Sequence, residues 1–339
     1  MARYSTSVLY AAALGIMGTA MAQTLESFDL QGHRGARGLA PENTLEAFAA
    51  ALSMGVTTLE LDTAITRDGV VVVAHDRLLN PEITRGPDGA WLQAPTPAVF
   101  ELTFVQLQRY DVGRIDPASD YARRFPGQRA KDGVRMPKLS EVFELVRRSG
   151  NETVRFNIET KLSPLAPRET LPPARFVEAL LKVVREAGMT ERVTVQSFHW
   201  RILRIVQGKE PRIATSFLTS QQPEFDTIRA GGASSWTAGF QLRYFGTVPE
   251  MVRAAATDEH GELIAGTTWS PRFEDLTPSA VREARSLGLR VVPWTVNARE
   301  DIARMIDWQV DGLITDYPER AREVMREKGL ALPPPTPMP

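Results

Sequence analysis

Short apolar runs alternate with amphipathic segments through most of this 339-residue chain, and this alternation constrains the fold more than any other feature. Residues 57–63 and 154–159 are typical of strands, whereas residues 45–52 carry apolar side chains at the i, i+3, i+4 and i+7 spacing of a helix. Strands that alternate with helices indicate a parallel sheet. About eight such units in about 300 residues favour a closed (β/α)8 TIM barrel over an open sheet.

Local signals predict where several elements begin and end. Asn43 is a predicted N-cap with Glu46 three residues later, as in a capping box. Near the C-terminus we expect strands over 290–296 and 312–315, with a helix over 318–328. Residues 79–137 interrupt the alternation, and we interpret them as a small insertion after the second strand that covers one end of the barrel. A further irregular stretch contains a possible strand at 238–242.

The two ends of the chain differ in composition from the rest. In residues 1–22 Arg3 is the only charged side chain, an apolar run covers 8–20, and residues 20–22 form an Ala-x-Ala cleavage site. These features predict a signal peptide and an exported, periplasmic or secreted, protein beginning at Gln23, although an uncleaved anchor is the alternative. Residues 23–328 then form one domain. The proline-rich residues 329–339 predict a disordered or extended tail.

The charge balance and the lack of cysteine limit which ligands and partners the chain can bind. Lys and Arg total 40 and Asp and Glu total 41, so no global field attracts nucleic acid or an anionic membrane. After residue 22 the sequence contains no long apolar run, so we expect no stable insertion of the mature chain into a membrane. The chain has no cysteine, so a metal ion would be bound by oxygen or nitrogen ligands. The oligomeric state stays open.

Glu60 and Asp62 are the first candidate site residues. They are two apart on a predicted strand and therefore share one face, whereas Leu59 and Leu61 share the other. Two adjacent carboxylates resist joint ionisation unless a cation or a proton lies between them. Oxygen ligands of this kind suit Mg²⁺ or Ca²⁺. Taken alone, the pair is equally consistent with the solvated face of an edge strand.

Glu159 and Lys161 extend this pattern to a later predicted strand. With Asn157 they would point into the barrel, where Glu159 can complete a three-carboxylate site for one divalent cation. Lys161 would lie at the same mouth and could bind a phosphate oxygen. The competing interpretation is a simple surface ion pair.

Two of the four histidines follow predicted strands. His33 lies in Gly-His-Arg-Gly, and His75 precedes Asp76, which could orient it. Two histidines beside a carboxylate-bound metal suit general acid and base catalysis, although a single histidine at a strand end is more often structural. Arg34 is a planar donor suited to a phosphate group.

Several motifs in one order resemble the glycerophosphodiester phosphodiesterase family. The motifs are Gly32-His33-Arg34-Gly35, Pro41-Glu42-Asn43-Thr44, Glu60-Leu61-Asp62, His75-Asp76, Asn157-Ile158-Glu159-Thr160-Lys161, Val195-Gln196-Ser197-Phe198, residues 292–297 and residues 312–318. The resemblance extends over nearly the whole mature chain, from about residue 29 to 325.

The resemblance implies a (β/α)8 barrel that hydrolyses a small-molecule glycerophosphodiester to glycerol 3-phosphate and an alcohol. It implies Glu60, Asp62 and Glu159 as ligands of Mg²⁺ or Ca²⁺. It also implies His33 and His75 as acid and base. Arg34 and Lys161 would contact phosphate, and Trp294 would form a wall of the substrate pocket.

Three other functions compete with this interpretation. A phospholipase on the same barrel would use lysolipid substrates and needs an exposed apolar rim, for which residues 91–104 supply candidates. A non-catalytic secreted binding protein would not need the acidic, histidine and basic positions. A glycosidase needs two carboxyl groups about 5 Å or more apart that flank the scissile bond, which adjacent positions on one strand do not provide. Among the remaining residues, His199 is interpreted as a loop or interhelical residue, with a third site histidine as the alternative, and His260 as solvated. Trp236 and Trp269 are interpreted as core, with the lining of the pocket as the alternative.

Overall fold

The computed structural model describes residues 27–338, so the predicted signal peptide lies outside the described residues. Its strands are β1 (Asp29–Gly32), β2 (Thr58–Ile65), β3 (Val71–Val73), β4 (Arg155–Thr160), β5 (Val193–Ser197), β6 (Ala214–Thr219), β7 (Gln221–Gln222), β8 (Phe225–Asp226), β9 (Thr268–Pro271), β10 (Arg290–Val291) and β11 (Gly312–Thr315). The α-helices are α1 (Leu45–Met54), α2 (Phe104–Leu107), α3 (Asp120–Arg124), α4 (Leu139–Arg148), α5 (Pro173–Glu186), α6 (Trp200–Lys209), α7 (Val248–Ala255), α8 (Pro278–Ser286), α9 (Arg299–Asp307) and α10 (Pro318–Glu327).

Eight of these strands form a parallel barrel, as the alternation predicted. Their order is β10-β9-β6-β5-β4-β2-β1-β11. The two ends of this order meet through backbone hydrogen bonds, in which Asp311 donates to Val291 at 2.9 Å and Ile314 donates to Pro293 at 2.9 Å. The fold is therefore a (β/α)8 barrel.

The barrel strands have two chemically different faces. On β2, Leu59 and Leu61 are fully buried in the main hydrophobic core together with apolar side chains of the surrounding helices. Glu60 and Asp62 alternate with them and point into the barrel, where they are also buried. The helix-facing layer supplies the apolar core, and the interior is unusually polar.

Two predicted strands differ from the structure. The strand predicted over 290–296 ends at Val291 in β10, because Pro293 has no N–H with which to continue the ladder. Residues 238–242 form no strand, since Ala238 and Gly239 have φ angles of 54° and 95° that interrupt extended backbone.

The interruption of the alternation lies between β3 and α4. β3 pairs antiparallel with β2, and the following residues 74–138 carry the short helices α2 and α3 and a 3-10 helix at Val99–Glu101. This segment has a small core of its own. The apolar side chains that form it are Ala64, Val72, Ala74, Leu79, Val99, Leu107, Val112, Val134 and Met136. It contacts the β1–α1 loop, where Arg129 N–H donates to the carbonyl oxygen of Leu39 at 2.9 Å.

The proline-rich C-terminal segment is extended and packed against the barrel, not disordered, up to residue 338. The Thr336 N–H donates to the Leu52 carbonyl at 2.8 Å, and Asn151 Nδ2 donates to Thr336 Oγ1 at 2.7 Å. Arg322 donates to the carbonyl of Pro333 at 2.6 Å. Proline-rich chain is stiff and its carbonyl groups are free, so a few such bonds suffice to order it. Within residues 27–338 no helix combines the length and apolarity needed to cross a bilayer.

Candidate active site

A cavity of about 380 Å³ lies at the C-terminal ends of the barrel strands, where barrel enzymes place their chemistry. Seven of the eight residues singled out from the sequence line it: His33, Arg34, Glu60, His75, Glu159, Lys161 and Trp294. The eighth, Asp62, is buried beside Glu60 and Glu159. The sequence-predicted residues are therefore all brought to one place.

Glu60, Asp62 and Glu159 form a compact carboxylate cluster. Carboxylate oxygens from the three residues all lie within 4.8 Å of one another, and all three residues are buried. The register explains this, since Asp62 pairs with Glu159 across β2 and β4. Glu60 lies two residues earlier on the same face of β2.

The cluster suits a divalent cation. Burial, reinforced by the Asp62 carboxylate, raises the pKa of Glu60, and burial raises the pKa of Glu159 to about 7. Asp62 Oδ1 is buried and has no hydrogen-bond partner within the described chain. A cation bound by these three side chains would satisfy that atom and offset the mutual repulsion. The all-oxygen ligand set matches the preference of Mg²⁺ and Ca²⁺.

His33 is held on one side of the cavity by Asp316, which follows β11. His33 Nδ1 donates to Asp316 Oδ1 at 2.6 Å, so Nε2 carries the free lone pair of the neutral ring. That Nε2 lies 3.9 Å from Glu60 Oε2. Burial, with help from Arg37, lowers the pKa of His33 to about 4 and keeps the ring neutral near pH 7.

His75 has a similar arrangement on the other side. Its Nδ1 donates to Asp76 Oδ1 at 2.8 Å, and Asn80 Nδ2 donates to Asp76 Oδ2 at 3.0 Å. The predicted orienting role of Asp76 therefore agrees with the geometry. Burial lowers the pKa of His75 below its usual value, again favouring the neutral ring.

Basic side chains surround the carboxylates. Arg34 Nη1 donates to Glu42 Oε1 at 2.5 Å, and Lys161 Nζ donates to Glu159 Oε1 at 2.8 Å. Arg37, which the sequence analysis missed, donates from Nε and Nη2 to the two oxygens of Asp316 at 2.8 and 3.0 Å. These cations give the cavity the donors that a phosphate needs.

The predicted N-cap at Asn43 is wrong. Thr44 caps α1, with its Oγ1 accepting from the Ala47 N–H at 3.2 Å. Asn43 instead adopts a left-handed φ of 57° and donates from Nδ2 to Asp62 Oδ2 at 2.9 Å. Asn43 was assigned to a cap because asparagine and threonine both suit that position, and only the fold shows which of two neighbours fills it.

Aromatic rings form one wall of the cavity. Phe198 packs edge-on against Phe225 and Trp294, with centroids 4.9 and 5.4 Å apart. Trp236 is nearly buried and also lines the cavity, so both the core interpretation and its pocket alternative describe it in part. Trp269 is core, as predicted, and is 2% exposed.

Comparison with known proteins identifies the family. The sequence model of the glycerophosphoryl diester phosphodiesterase family matches residues 33–320. The chain belongs to this family. It is therefore a phosphoric diester hydrolase, and the interpretation as a non-catalytic binding protein is set aside.

Individual members of this glycerophosphoryl diester phosphodiesterase family are similar over almost their whole length. A glycerophosphodiester phosphodiesterase of Caldanaerobacter subterraneus subsp. tengcongensis is 28% identical, with 88% of this chain and 97% of that protein covered. A crystal structure from Silicibacter pomeroyi, described as a glycerophosphoryl diester phosphodiesterase, is 36% identical with a TM-score of 0.77. It covers 90% of this chain and 95% of its own.

A more distant phosphodiesterase structure shares the fold of the family. It comes from Oleispira antarctica and was solved in complex with the product sn-glycerol-3-phosphate. It is 18% identical with a TM-score of 0.61, and the alignment covers 88% of this chain and 97% of that chain.

Among the residues that the sequence analysis did not assign to the site, Asp316 and Gln196 each contact a predicted site residue, and Arg37 contacts Asp316. Asp316 had the clearest signal, because it directly follows the last barrel strand, where site residues of this fold are placed. Gln196, inside β5, donates from Nε2 to Glu60 Oε1 at 2.6 Å. His199 does not line the cavity, and the side chain of His260 is 76% exposed, as expected of non-catalytic residues.

Proposed function

We propose that the chain hydrolyses glycerophosphodiesters to glycerol 3-phosphate and an alcohol, using one divalent cation and a histidine pair. The observation that carries the proposal is the convergence of two histidines, each oriented by its own carboxylate, on one cavity with three clustered carboxylates. Support for the substrate class comes from family membership and from the sn-glycerol-3-phosphate complex of the Oleispira antarctica phosphodiesterase.

Glu60, Asp62 and Glu159 would hold the cation, Mg²⁺ or Ca²⁺. When bound, the ion would supply Lewis acidity toward a phosphoryl oxygen. Arg34 and Lys161 would bind the remaining phosphoryl oxygens, since both lie on the cavity wall and carry N–H donors next to the cluster. Trp294 and its aromatic neighbours would enclose the organic part of the substrate.

His33 and His75 would transfer protons on the two sides of the phosphorus. In each ring Nδ1 is committed to a carboxylate, which leaves Nε2 to accept or donate a proton at the reacting oxygens. One histidine, neutral, would take a proton from the nucleophile. The other would take up a proton when the phosphate anion binds, since a nearby negative charge raises a histidine pKa, and would give that proton to the leaving alkoxide.

The test measures hydrolysis of glycerophosphocholine through the glycerol 3-phosphate that is released, first in EDTA and then after addition of Mg²⁺ or Ca²⁺. We expect EDTA to abolish turnover and either ion to restore it. Full activity in chelator would contradict the metal assignment. His33→Ala and His75→Ala should each lose about 10²- to 10⁴-fold in kcat. His260→Ala, a substitution at the exposed histidine, is the matched control, and near wild-type turnover in either site variant would remove that residue from the pair.

A lysolipid phosphodiesterase is the alternative with the same chemistry. Three of the apolar side chains expected to form its rim are not available for it, because Val99 is buried and Leu92 and Phe104 pack against the small core of the insertion. This observation favours small, polar substrates. A panel of glycerophosphodiesters and lysolipids compared by kcat/KM decides between them.

We further propose that the protein acts outside the cytoplasm, exported by residues 1–22. The proposal rests on the charge and hydropathy of that segment and on its Ala-x-Ala sequence at residues 20–22. N-terminal sequencing of the mature protein tests it: a start at Gln23 is expected, and an intact Met1 on the functional protein would contradict cleavage.

A further inference from the structure

A line of buried side chains runs through the barrel interior from its N-terminal end to the carboxylate cluster. Asp29 and Gln31 lie on β1, Asn157 on β4, Gln196 on β5 and Glu60 on β2. None of these five residues is more than 5% exposed. We call this line the amide ladder. It crosses the interior of a barrel whose core is usually filled by branched apolar side chains.

Neighbouring side chains of the amide ladder are joined by hydrogen bonds of 2.6 to 3.0 Å. Gln31 Nε2 donates to Asp29 Oδ2 at 2.9 Å, and Asn157 Nδ2 donates to Gln31 Oε1 at 2.8 Å. Asn157 Nδ2 also donates to Gln196 Oε1 at 3.0 Å. Gln196 Nε2 then donates to Glu60 Oε1 at 2.6 Å.

The chemistry of the two ends fixes the orientation of every amide between them. Asp29 and Glu60 are carboxylates and, when ionised, only accept hydrogen bonds. If the amides of Gln31 and Gln196 were flipped, carbonyl oxygens would face carboxylate oxygens at both ends. Asn157 uses both of its amide protons within the ladder, and its Oδ1 is left without a hydrogen-bond partner in the described chain.

Glu60 is thereby held at both oxygens. Gln196 donates to Oε1, and the backbone N–H of Arg34 donates to Oε2 at 2.9 Å. Asp29 is itself anchored, since Thr58 Oγ1 donates to its Oδ1 at 2.7 Å. The anchor at one end of the barrel is therefore joined to a carboxylate at the other through three amide side chains.

We propose that Asp29, Gln31, Asn157 and Gln196 are positioning residues that set the orientation of Glu60 and so the affinity of the site for its divalent cation. The proposal rests on the proposed metal site. Partners that orient a metal ligand from outside the coordination sphere commonly change metal affinity by about 10- to 100-fold when they are removed. A substitution at Asp29 tests this proposal most directly, because Asp29 lies at the end of the amide ladder opposite to Glu60 and can influence the cluster through the ladder.

The experiment measures the Kd of Mg²⁺ and of Ca²⁺ by calorimetry on the purified, chelator-treated protein. Gln196→Met, which removes the donor at constant length, should weaken binding by about 10- to 100-fold. Asp29→Asn should weaken it by about threefold or more, because asparagine accepts either orientation of the Gln31 amide and leaves Glu60 as the single end that orients the ladder. Thr268→Val, at a buried position lining the same N-terminal end of the barrel but outside the ladder, should leave Kd unchanged.

A double-mutant cycle separates the ladder from the general loss of a negative charge. In the Gln196→Met background the ladder is already cut, so Asp29→Asn should have no further effect on Kd. An equal effect of Asp29→Asn in both backgrounds, or none in the wild type, would overturn the proposal. If Asp29→Asn does not fold, as judged by circular dichroism, Gln31→Met takes its place in the same cycle. Absence of metal binding by the wild-type protein would instead refute the proposed metal site.

Discussion

The Nδ1 of His33 donates a hydrogen bond to Asp316, a residue at the opposite end of the chain, over 2.6 Å. Parallel pairing of β1 with β11 brings the two together, since Gly32 is in register with Thr315. Asp316 also accepts from Arg37 and from Asn297 Nδ2, the latter at 2.7 Å. The carboxylate is thus fixed from three sides and determines which nitrogen of His33 faces the cavity.

Replacing Asp316 with asparagine tests this relationship. An asparagine can offer its NH₂ group to Nδ1, which would place the proton of the neutral ring on Nε2 and leave no lone pair toward the substrate. We expect kcat to fall by about 10²- to 10⁴-fold, with the Kd for Mg²⁺ within about twofold of wild type. The control is Asp307→Asn at an exposed ion pair on α9. Unchanged kcat in Asp316→Asn would show that the tautomer of His33 does not matter to the reaction.

Stability without the cation should depend on pH through the carboxylate cluster. Burial raises the pKa of Glu159 to about 7 in the folded protein, above its ordinary value near 4.5. The folded state therefore retains a proton that the unfolded state has lost, and stability falls as pH rises from about 4.5 to 7. In EDTA this contribution, measured as the Tm of the wild type minus the Tm of Glu159→Gln, should decrease between pH 5 and pH 8. Saturating Mg²⁺ should reduce the pH dependence of the wild-type Tm because the cation replaces the proton.

The comparison variant for this effect is Glu159→Gln, which cannot ionise at this position. Its Tm in EDTA should lack the decrease that the Glu159 carboxyl group causes over the same range. Parallel Tm curves for wild type and variant, with and without the ion, would contradict the coupling between proton and cation.

Periodicity was enough to predict the parts of the site that lie on strands. Glu60 and Asp62 share a face because side chains alternate along β2, and the parallel arrangement places Glu159 beside them. His33 and His75 were predicted from their positions directly after strands. For these residues the strand pattern predicts both where the side chain lies and which way it points.

The supporting residues could not be predicted in the same way. Asn43 contacts Asp62 only because its backbone enters the left-handed region, and a local pattern of cap residues does not reveal a φ angle. Gln196 sits on the inner face of β5, but its partner Glu60 belongs to a strand that is not adjacent in the sheet. Contacts across the barrel depend on the closure of the sheet, which is a property of the whole fold.

The insertion contributes a hydroxyl group to the site, in addition to the amide of Asn80 that holds Asp76. Tyr121, in α3, donates to Glu42 and accepts from Arg37 Nη1 at 3.2 Å, while Glu42 accepts from Arg34. Tyr121→Phe should loosen both guanidinium groups, so we expect KM to rise about 3- to 10-fold with kcat within about twofold. Steady-state kinetics with glycerophosphocholine measures this. Tyr317→Phe, in the same small apolar cluster, is the control and should leave KM unchanged. A KM unaffected by Tyr121→Phe would limit the hydroxyl to a structural role.

A pair of substitutions at Asn43 separates its two contributions. Asn43 holds Asp62 with its side chain and also occupies a left-handed φ of 57° that glycine adopts without strain. Asn43→Gly removes the hydrogen bond and retains the backbone, so we expect the Kd for Mg²⁺ to weaken by about 10-fold. Asn43→Ala loses the same bond and adds backbone strain of about 1 kcal/mol or more, so its Tm should fall below that of the glycine variant. Equal metal affinity of Asn43→Gly and the wild type would show that Asp62 keeps its orientation without Asn43. The carboxylate of Asp62 has two other close contacts, with Arg34 Nε at 3.3 Å and with Lys161 Nζ at 3.7 Å, and these would then be removed next.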